Sequence, residues 1–147
     1  MNANYWQTKS WHAFSPEEWE ALCDGCARCC LVKLEDEQTG EIHYTNIACQ
    51  LLNLSDCRCR DYKHRQHRVP TCMVISPDRP DILNLLPDTC AYRYLFEQQP
   101  LPGWHPLVSG SRQSVHDAGI SVKGKVVSEK YIHPEQYEDH IIDWINT

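Results

Sequence analysis

The sequence predicts an α+β fold: a small single domain of short helices, two β-hairpins and long loops. Three observations point to it. A helix start near the N-terminus agrees on several signals at once, two short stretches alternate apolar and polar residues across turn sequences, and Pro70, Pro77, Pro80 and Pro87 interrupt the middle of the chain. At 147 residues the chain is the size of one domain, and 41% hydrophobic residues can fill a core without cross-links. No repeat or linker divides it, so one domain over 1–147 is expected, with an N-terminal helix and cysteine cluster at 15–30, a loop-rich cysteine region at 49–90 and a helix and hairpin region at 101–147.

The elements follow in order. Ser15-Pro16-Glu17-Glu18 supplies an N-cap, a proline at the first helical position and a capping-box glutamate. Trp19, Leu22, Cys23 and Cys26 keep helical spacing, which would place the first two thiols on the face that Trp19 and Leu22 bury. Gly25 and the Cys29-Cys30 pair should loosen or end that helix. Leu31–Leu34 and Glu41–Tyr44 alternate across Asp36–Gly40 and read as a hairpin. From Cys49 to Cys90 short helices and loops are expected. Ser111–Ala118 reads as a helix closed by Gly119, and Ile120–Val122 with Lys125–Val127 as a second hairpin around Lys123-Gly124. A last helix follows Pro134 and carries Tyr137, Ile141, Ile142, Trp144 and Ile145. The five tryptophans and seven tyrosines read as packing residues rather than a platform for bases.

Chemistry concentrates in the cysteines. Of nine in the chain, four lie between Cys23 and Cys30, and Cys49, Cys57, Cys59, Cys72 and Cys90 are spread through the middle. Thiolates bind soft and borderline metals strongly, so the fold is expected to be organised around a cysteine-ligated metal site. No secretory signal is apparent, and a cytoplasmic chain keeps its thiols reduced. The odd count also weighs against a disulfide framework.

Cys23, Cys26 and Cys29 have the C-x2-C-x2-C spacing that opens a bacterial ferredoxin motif. Cys30 follows at once where that motif needs three intervening residues, so a fourth ligand would come from Cys49, the Cys57–Cys72 segment or Cys90. Adjacent Cys29 and Cys30 point in different directions, which suggests separate metals or one packed thiol. Zinc competes: Cys23/Cys26 and Cys57/Cys59, with Cys72 or Cys90, could close a tetrahedral site. Candidate ligands are thus Cys23, Cys26, Cys29, Cys30, Cys49, Cys57, Cys59, Cys72 and Cys90. Cys26-x-x-Cys29 also has thioredoxin spacing but lacks the βαβ context.

Other classes find less support. A net charge of −6 argues against a dedicated nucleic-acid binder, although Arg58, Arg60, Lys63, Arg65 and Arg68 form a local basic stretch with His64 and His67. No apolar run approaches the roughly 20 residues needed to cross a bilayer, so no membrane partner is expected. His105 and His116 sit among turn residues, where a hydrogen-bonded role is the expectation. No phosphate loop, nucleophile elbow, H-E-x-x-H helix or dinucleotide fingerprint occurs, so no catalytic motif is recognisable.

Cys23-x-x-Cys26-x-x-Cys29-Cys30, Cys57-Arg58-Cys59-Arg60-Asp61-Tyr62, Cys72, the Leu101–Gly110 segment and the His116–Val122 segment together resemble the bacterial CxxCxxCC cysteine-cluster family, a presumed zinc- or iron-chelating domain, and most nearly its YcgN-type branch. The resemblance runs from about Trp19 to Glu129. It implies metal chelation through these cysteines, and a related motif beside flagellin lysine methylase looks like an iron–sulfur site, which favours iron. The interval from Tyr62 to Cys72 is longer than is usual in the family. The resulting expectation is a cytoplasmic protein holding an iron–sulfur cluster of the 4Fe-4S type, used in electron transfer, iron handling or redox sensing with a protein redox partner. The alternative is a zinc-stabilised module that binds an anionic partner through its basic stretch.

Overall fold

Ser15 accepts a hydrogen bond from the Glu18 backbone N–H, and the Glu18 carboxylate accepts one from Ser15 in return. This box opens a helix at Pro16–Ala21, preceded by a shorter one at Tyr5–Thr8; these are α2 and α1. The computed structural model describes residues 4–69, 72, 74–76, 78 and 80–147. Pro70 and Pro77, expected to break the middle, lie outside the described residues. The chain forms a small α+β structure in two compact units, Met1–Cys26 with Ile75–Ser121 and Ala27–Val74 with Val122–Thr147.

The first unit is helical and aromatic. Its further helices are α4 at Ala91–Phe96, α5 at Pro106–Ser109 and α6 at Ser114–Asp117, with α3, Arg65–Arg68, in the second unit. Buried Tyr5 donates to the Glu18 carbonyl at 2.6 Å, and Tyr92 donates to the Trp19 carbonyl at 2.7 Å. Burial, with Glu18 adding its charge, pushes the Tyr5 hydroxyl up to about 12. Tyr5 meets Phe14 edge-on at 5.1 Å, and Trp19 meets Tyr92 at 4.8 Å, so these rings pack as core. Lys9 pairs with Glu18 at 2.9 Å. The Glu18 carboxyl is held below the usual range, first by the Ser15 N–H and then by Lys9.

The second unit is built on strands. β1, Leu31–Glu35, and β2, Ile42–Ala48, form the expected antiparallel hairpin, with an irregularity between Leu31 and Lys33. Asp36 Oδ1 accepts from Gln38 N–H at 2.8 Å and Thr39 N–H at 2.9 Å, and Gly40 takes φ +74, which closes the turn. β3, Leu52–Asn53, and β4, Arg58–Cys59, make a second hairpin. β5, Val127–Ser128, joins β2 in parallel at Ile47 and Ala48. Ala27, Leu31, Tyr44, Ala48, Leu52, Cys57, Val122 and Ile145 make its buried core.

Four local expectations are corrected. The helix α2 stops at Ala21, two residues before Cys23, and Cys23 is exposed instead of lying on its buried face. Two hairpins do form, but the second is β3–β4; Ile120–Val122 belongs to no strand, and Val127 pairs with β2 instead. The segment after Pro134 is a 3-10 helix ending at His140, not a helix carrying Ile141 to Ile145. There the Ile142 N–H goes to the Tyr44 carbonyl at 2.9 Å and Ile141 bridges Thr45, so pairing against the sheet replaces helical hydrogen bonds. In the Ser111–Ala118 segment only Ser114–Asp117 is helical, because the Ser111 hydroxyl takes the Gln113 N–H in a local turn, while Gly119 at φ +73 closes it as expected.

Candidate metal centre

No disulfide joins any of the nine cysteines, all of which are among the described residues. The structure divides the leading motif: Cys23 and Cys26 belong to the first unit, and Cys29 and Cys30 to the second. In the first unit Cys26 is buried, its N–H donates to Asp24 Oδ1 at 3.0 Å, and half-buried Cys90 precedes α4. His105 is also here and fully buried, with Nε2 donating to the Leu22 carbonyl at 2.7 Å and Nδ1 accepting from Leu107 N–H at 3.0 Å. Those bonds define one neutral tautomer. Burial holds the imidazole below its ordinary pKa, against smaller opposing effects from the Leu22 bond and Asp24. His116 is bonded to Ser121 at 2.6 Å. Both histidines therefore have the hydrogen-bonded role expected of them.

The second unit gathers thiols from four segments. Ala27 adopts φ 64 and starts a 3-10 turn over Arg28–Cys30, which presents half-buried Cys29 and Cys30 directly before β1. Cys49 leaves the end of β2 and its N–H donates to the Cys30 carbonyl at 2.8 Å. Cys59 sits on β4 opposite Leu52, and Cys72 follows α3. The charges of Cys49, Cys29 and Cys59 act on Cys72, and those of Glu129, Cys59 and Lys33 act on Cys49. Burial pushes both the Cys49 and Cys72 thiols up, with Arg65 pulling Cys72 back down. Cys30 packs against the core, and Cys57 is part of it at 5% exposure.

Sequence reasoning missed Lys33. Its ammonium donates to the carbonyls of Cys29 at 2.7 Å and Leu31 at 2.9 Å and lies 5.0 Å from the Tyr44 ring centroid. Burial pulls its pKa down, and Cys29, Cys30, Cys72 and Cys49, in that order, push it up. Among the described residues it pairs with no carboxylate. A cation beside a dense cysteine pair was the available signal, but strand alternation alone gives no reason to turn it towards the thiols.

The donor set is sulfur-rich and holds a cation suited to an anionic metal–thiolate group. Among the described residues no three His, Cys, Asp or Glu side chains stand together closely enough to hold one ion, so ligation requires the thiols to draw in.

The basic stretch lies on the surface around this cluster. Arg65 stacks on Tyr62 at 3.8 Å and donates to its carbonyl at 2.7 Å, while Asp61 accepts from His64 at 3.0 Å and Arg68 at 3.3 Å. These pairings account for part of the stretch locally. Arg58 and Arg60 are exposed. No helix among the described residues is long and apolar enough to cross a membrane.

A family model for the CxxCxxCC domain, described as a "putative zinc- or iron-chelating domain", matches residues 22–91. A UPF0260 protein of Shewanella amazonensis is 51% identical over 140 residues, covering 95% of this chain and 94% of its own. One from Pseudomonas putida strain GB-1 is 48% identical over 141 residues, covering 96% and 94%, and one from Allorhizobium ampelinum is 49% identical over 140, covering 95% and 88%. No solved structure matches the chain. Identity at this level over nearly the whole chain, together with the cysteine pattern, makes it a member of the UPF0260 family of CxxCxxCC cysteine-cluster proteins.

Proposed function

We propose that the second unit is a cytoplasmic metal-binding module whose Cys29, Cys49, Cys59 and Cys72 hold an iron–sulfur cluster. The observation that carries this reading is the placing of Cys29, Cys49, Cys59 and Cys72, from four separated segments, in one compact unit with a half-buried lysine that pairs with no carboxylate among the described residues. A partly buried ammonium is costly without a matching negative charge, and thiolates on a metal provide one. Cys57 is a core residue in this reading, and Cys30 supports the backbone of Cys49. An iron–sulfur cluster bound there would supply one-electron chemistry. The protein's part is to deliver four sulfurs, exclude water on the core side and balance charge with Lys33. Electron transfer, iron handling or redox sensing through a protein redox partner follow from such a cluster, and the exposed Arg58 and Arg60 offer an acidic partner a place to dock.

Zinc would use the same four thiolates and make the unit a structural binding module. Iron, zinc and acid-labile sulfide per chain, measured on untagged protein purified without oxygen, separate the readings. Iron with equal sulfide supports the cluster. Zinc without sulfide supports the structural module, and neither metal in stoichiometric amount refutes both.

A further inference from the structure

Cys30 and Cys49 stand opposite each other at the end of the β1–β2 ladder. Leu31 faces Ala48 in the last register pair, and one residue further out the Cys49 N–H donates to the Cys30 carbonyl at 2.8 Å. In an antiparallel ladder that bond joins directly opposed residues, whose Cα atoms lie about 5.5 Å apart and whose Cβ atoms lie about 4.5–5.5 Å apart. A disulfide spans Cα separations of roughly 4.4–6.8 Å with Cβ atoms about 3.8 Å apart, so closing this pair asks for a movement of about 1 Å. The backbone can supply it. The Cys30 N–H goes to the Ala27 carbonyl at 3.0 Å and the Cys49 carbonyl accepts from the Leu52 N–H at 2.9 Å, so each residue also belongs to a turn and can shift without parting β1 from β2. Both are half-buried, within reach of a small oxidant. Lys33 holds the turn around Cys30 by donating to the carbonyls of its two neighbours, Cys29 at 2.7 Å and Leu31 at 2.9 Å.

We propose that Cys30 and Cys49 are a reversible dithiol–disulfide pair, a modification site whose oxidant is a peroxide. One thiolate attacks the peroxide, breaking its O–O bond and becoming a sulfenic acid; the other thiol displaces that oxygen and forms the S–S bond. Two thiol protons and two electrons leave the pair, and hydrogen peroxide departs as two waters. In a reducing compartment such bonds are transient and regulatory, and a dithiol reverses this one. The bridge ties the Cys30 turn to the Cys49 turn and closes the hairpin at its base. The pair stands on the backbone pairing and not on the proposed metal; where the two readings meet, an oxidised Cys49 is no longer a ligand.

The test treats dilute full-length protein, freed of metal by a chelator, with equimolar hydrogen peroxide at about pH 8.5, where free thiols ionise. Remaining thiols are alkylated, and cross-linked peptides are sequenced by fragmentation. The proposal expects a Cys30–Cys49 bridge in the wild type, in Cys29→Ser and in Cys57→Ala, its absence in Cys30→Ser and Cys49→Ser, and its reversal by dithiothreitol. Cys30 and Cys49 still open to alkylation after oxidation, or a bridge that joins Cys49 to Cys59 or Cys72 instead, overturns it. Should a variant fail to fold, the wild-type fragment ions alone decide the pairing. A bridge in a chain that binds no metal upholds the pair and refutes the metal reading. Stoichiometric metal in a chain that forms no bridge once the metal is removed does the reverse.

Discussion

Cys57 and Cys59 are two residues apart in the sequence, yet the structure gives them opposite duties, and alanine substitutions separate them. Cys57 is 5% exposed and packs with Leu31, Tyr44, Ala48, Leu52 and Val122. Its φ of 60 is a left-handed conformation that alanine adopts no more easily, so Cys57→Ala leaves backbone strain unchanged. What is lost is one buried sulfur, comparable with a methylene, worth about 0.8 kcal/mol of transfer. The cavity left behind adds about 0.6 kcal/mol at ~24 cal/mol per Å³ over about 25 Å³. A total near 1.5 kcal/mol lowers the melting temperature of the metal-free protein by about 3–6 °C. Cys59 is half-buried on β4 and electrostatically coupled to Cys49 and Cys72, so Cys59→Ala should change the metal-free melt little and abolish stoichiometric metal. Thermal melts of the metal-free proteins and metal analysis after anaerobic purification read both effects. The reasoning is refuted if Cys57→Ala loses the metal at unchanged metal-free stability while Cys59→Ala retains it.

Further expectations follow from the same structure. Burial raises the Cys49 and Cys72 thiols, so both are protonated at neutral pH without metal, and loading must release their protons. Apparent affinity should therefore rise with pH between 6.5 and 8.5, about tenfold per unit for each proton released, and a flat profile in chelator competition would count against these ligands. His105 is held neutral, with its folded pKa below the ordinary 6.5, so its contribution to stability is complete above that value and is lost as pH falls through the folded pKa. Urea midpoints should drop on the acid side and His105→Gln should flatten that drop; an unaltered slope in the variant contradicts the assignment. Ser15→Ala should destabilise the first unit by about 1 kcal/mol through loss of the cap, with Ser15→Asp recovering most of it, as read by denaturant unfolding.

Local, self-contained signals were legible in the sequence. The Ser15 box needs only four consecutive residues, and the β1–β2 hairpin declares itself through alternation and the Asp36–Gly40 turn. What was illegible depends on competition at a distance. Ile141 and Ile142 carry a helical pattern, but the Thr45 and Tyr44 backbone on β2 takes their place in pairing. Val127 could have paired with Ile120–Val122 nearby; Ile47 on β2 won instead. The second hairpin formed where Asn53 Oδ1 and Asp56 Oδ1 each accept a backbone N–H two residues on, at 2.8 and 3.0 Å, a turn chemistry hidden among cysteines. For the site, spacing identified thiols as the chemistry and could not rank them, because ranking depends on which segments the fold brings together. Tight spacing put Cys23, Cys26 and Cys29 first, while the fold places Cys29, Cys49, Cys59 and Cys72 in the second unit, where the charges of the other three act on Cys72. Lys33 escaped notice because its contacts run to the Cys29 and Leu31 carbonyls and the Tyr44 ring, which residue type and spacing do not reveal.

X-ray absorption at the metal edge of the anaerobically purified wild-type protein tests the central claim most directly, since it reads the donor atoms around the metal. The account predicts a shell of sulfur alone at about 2.3 Å, with iron neighbours showing a cluster, and its loss in Cys49→Ser. Nitrogen or oxygen donors in that shell, or a spectrum unchanged by Cys49→Ser, would contradict it.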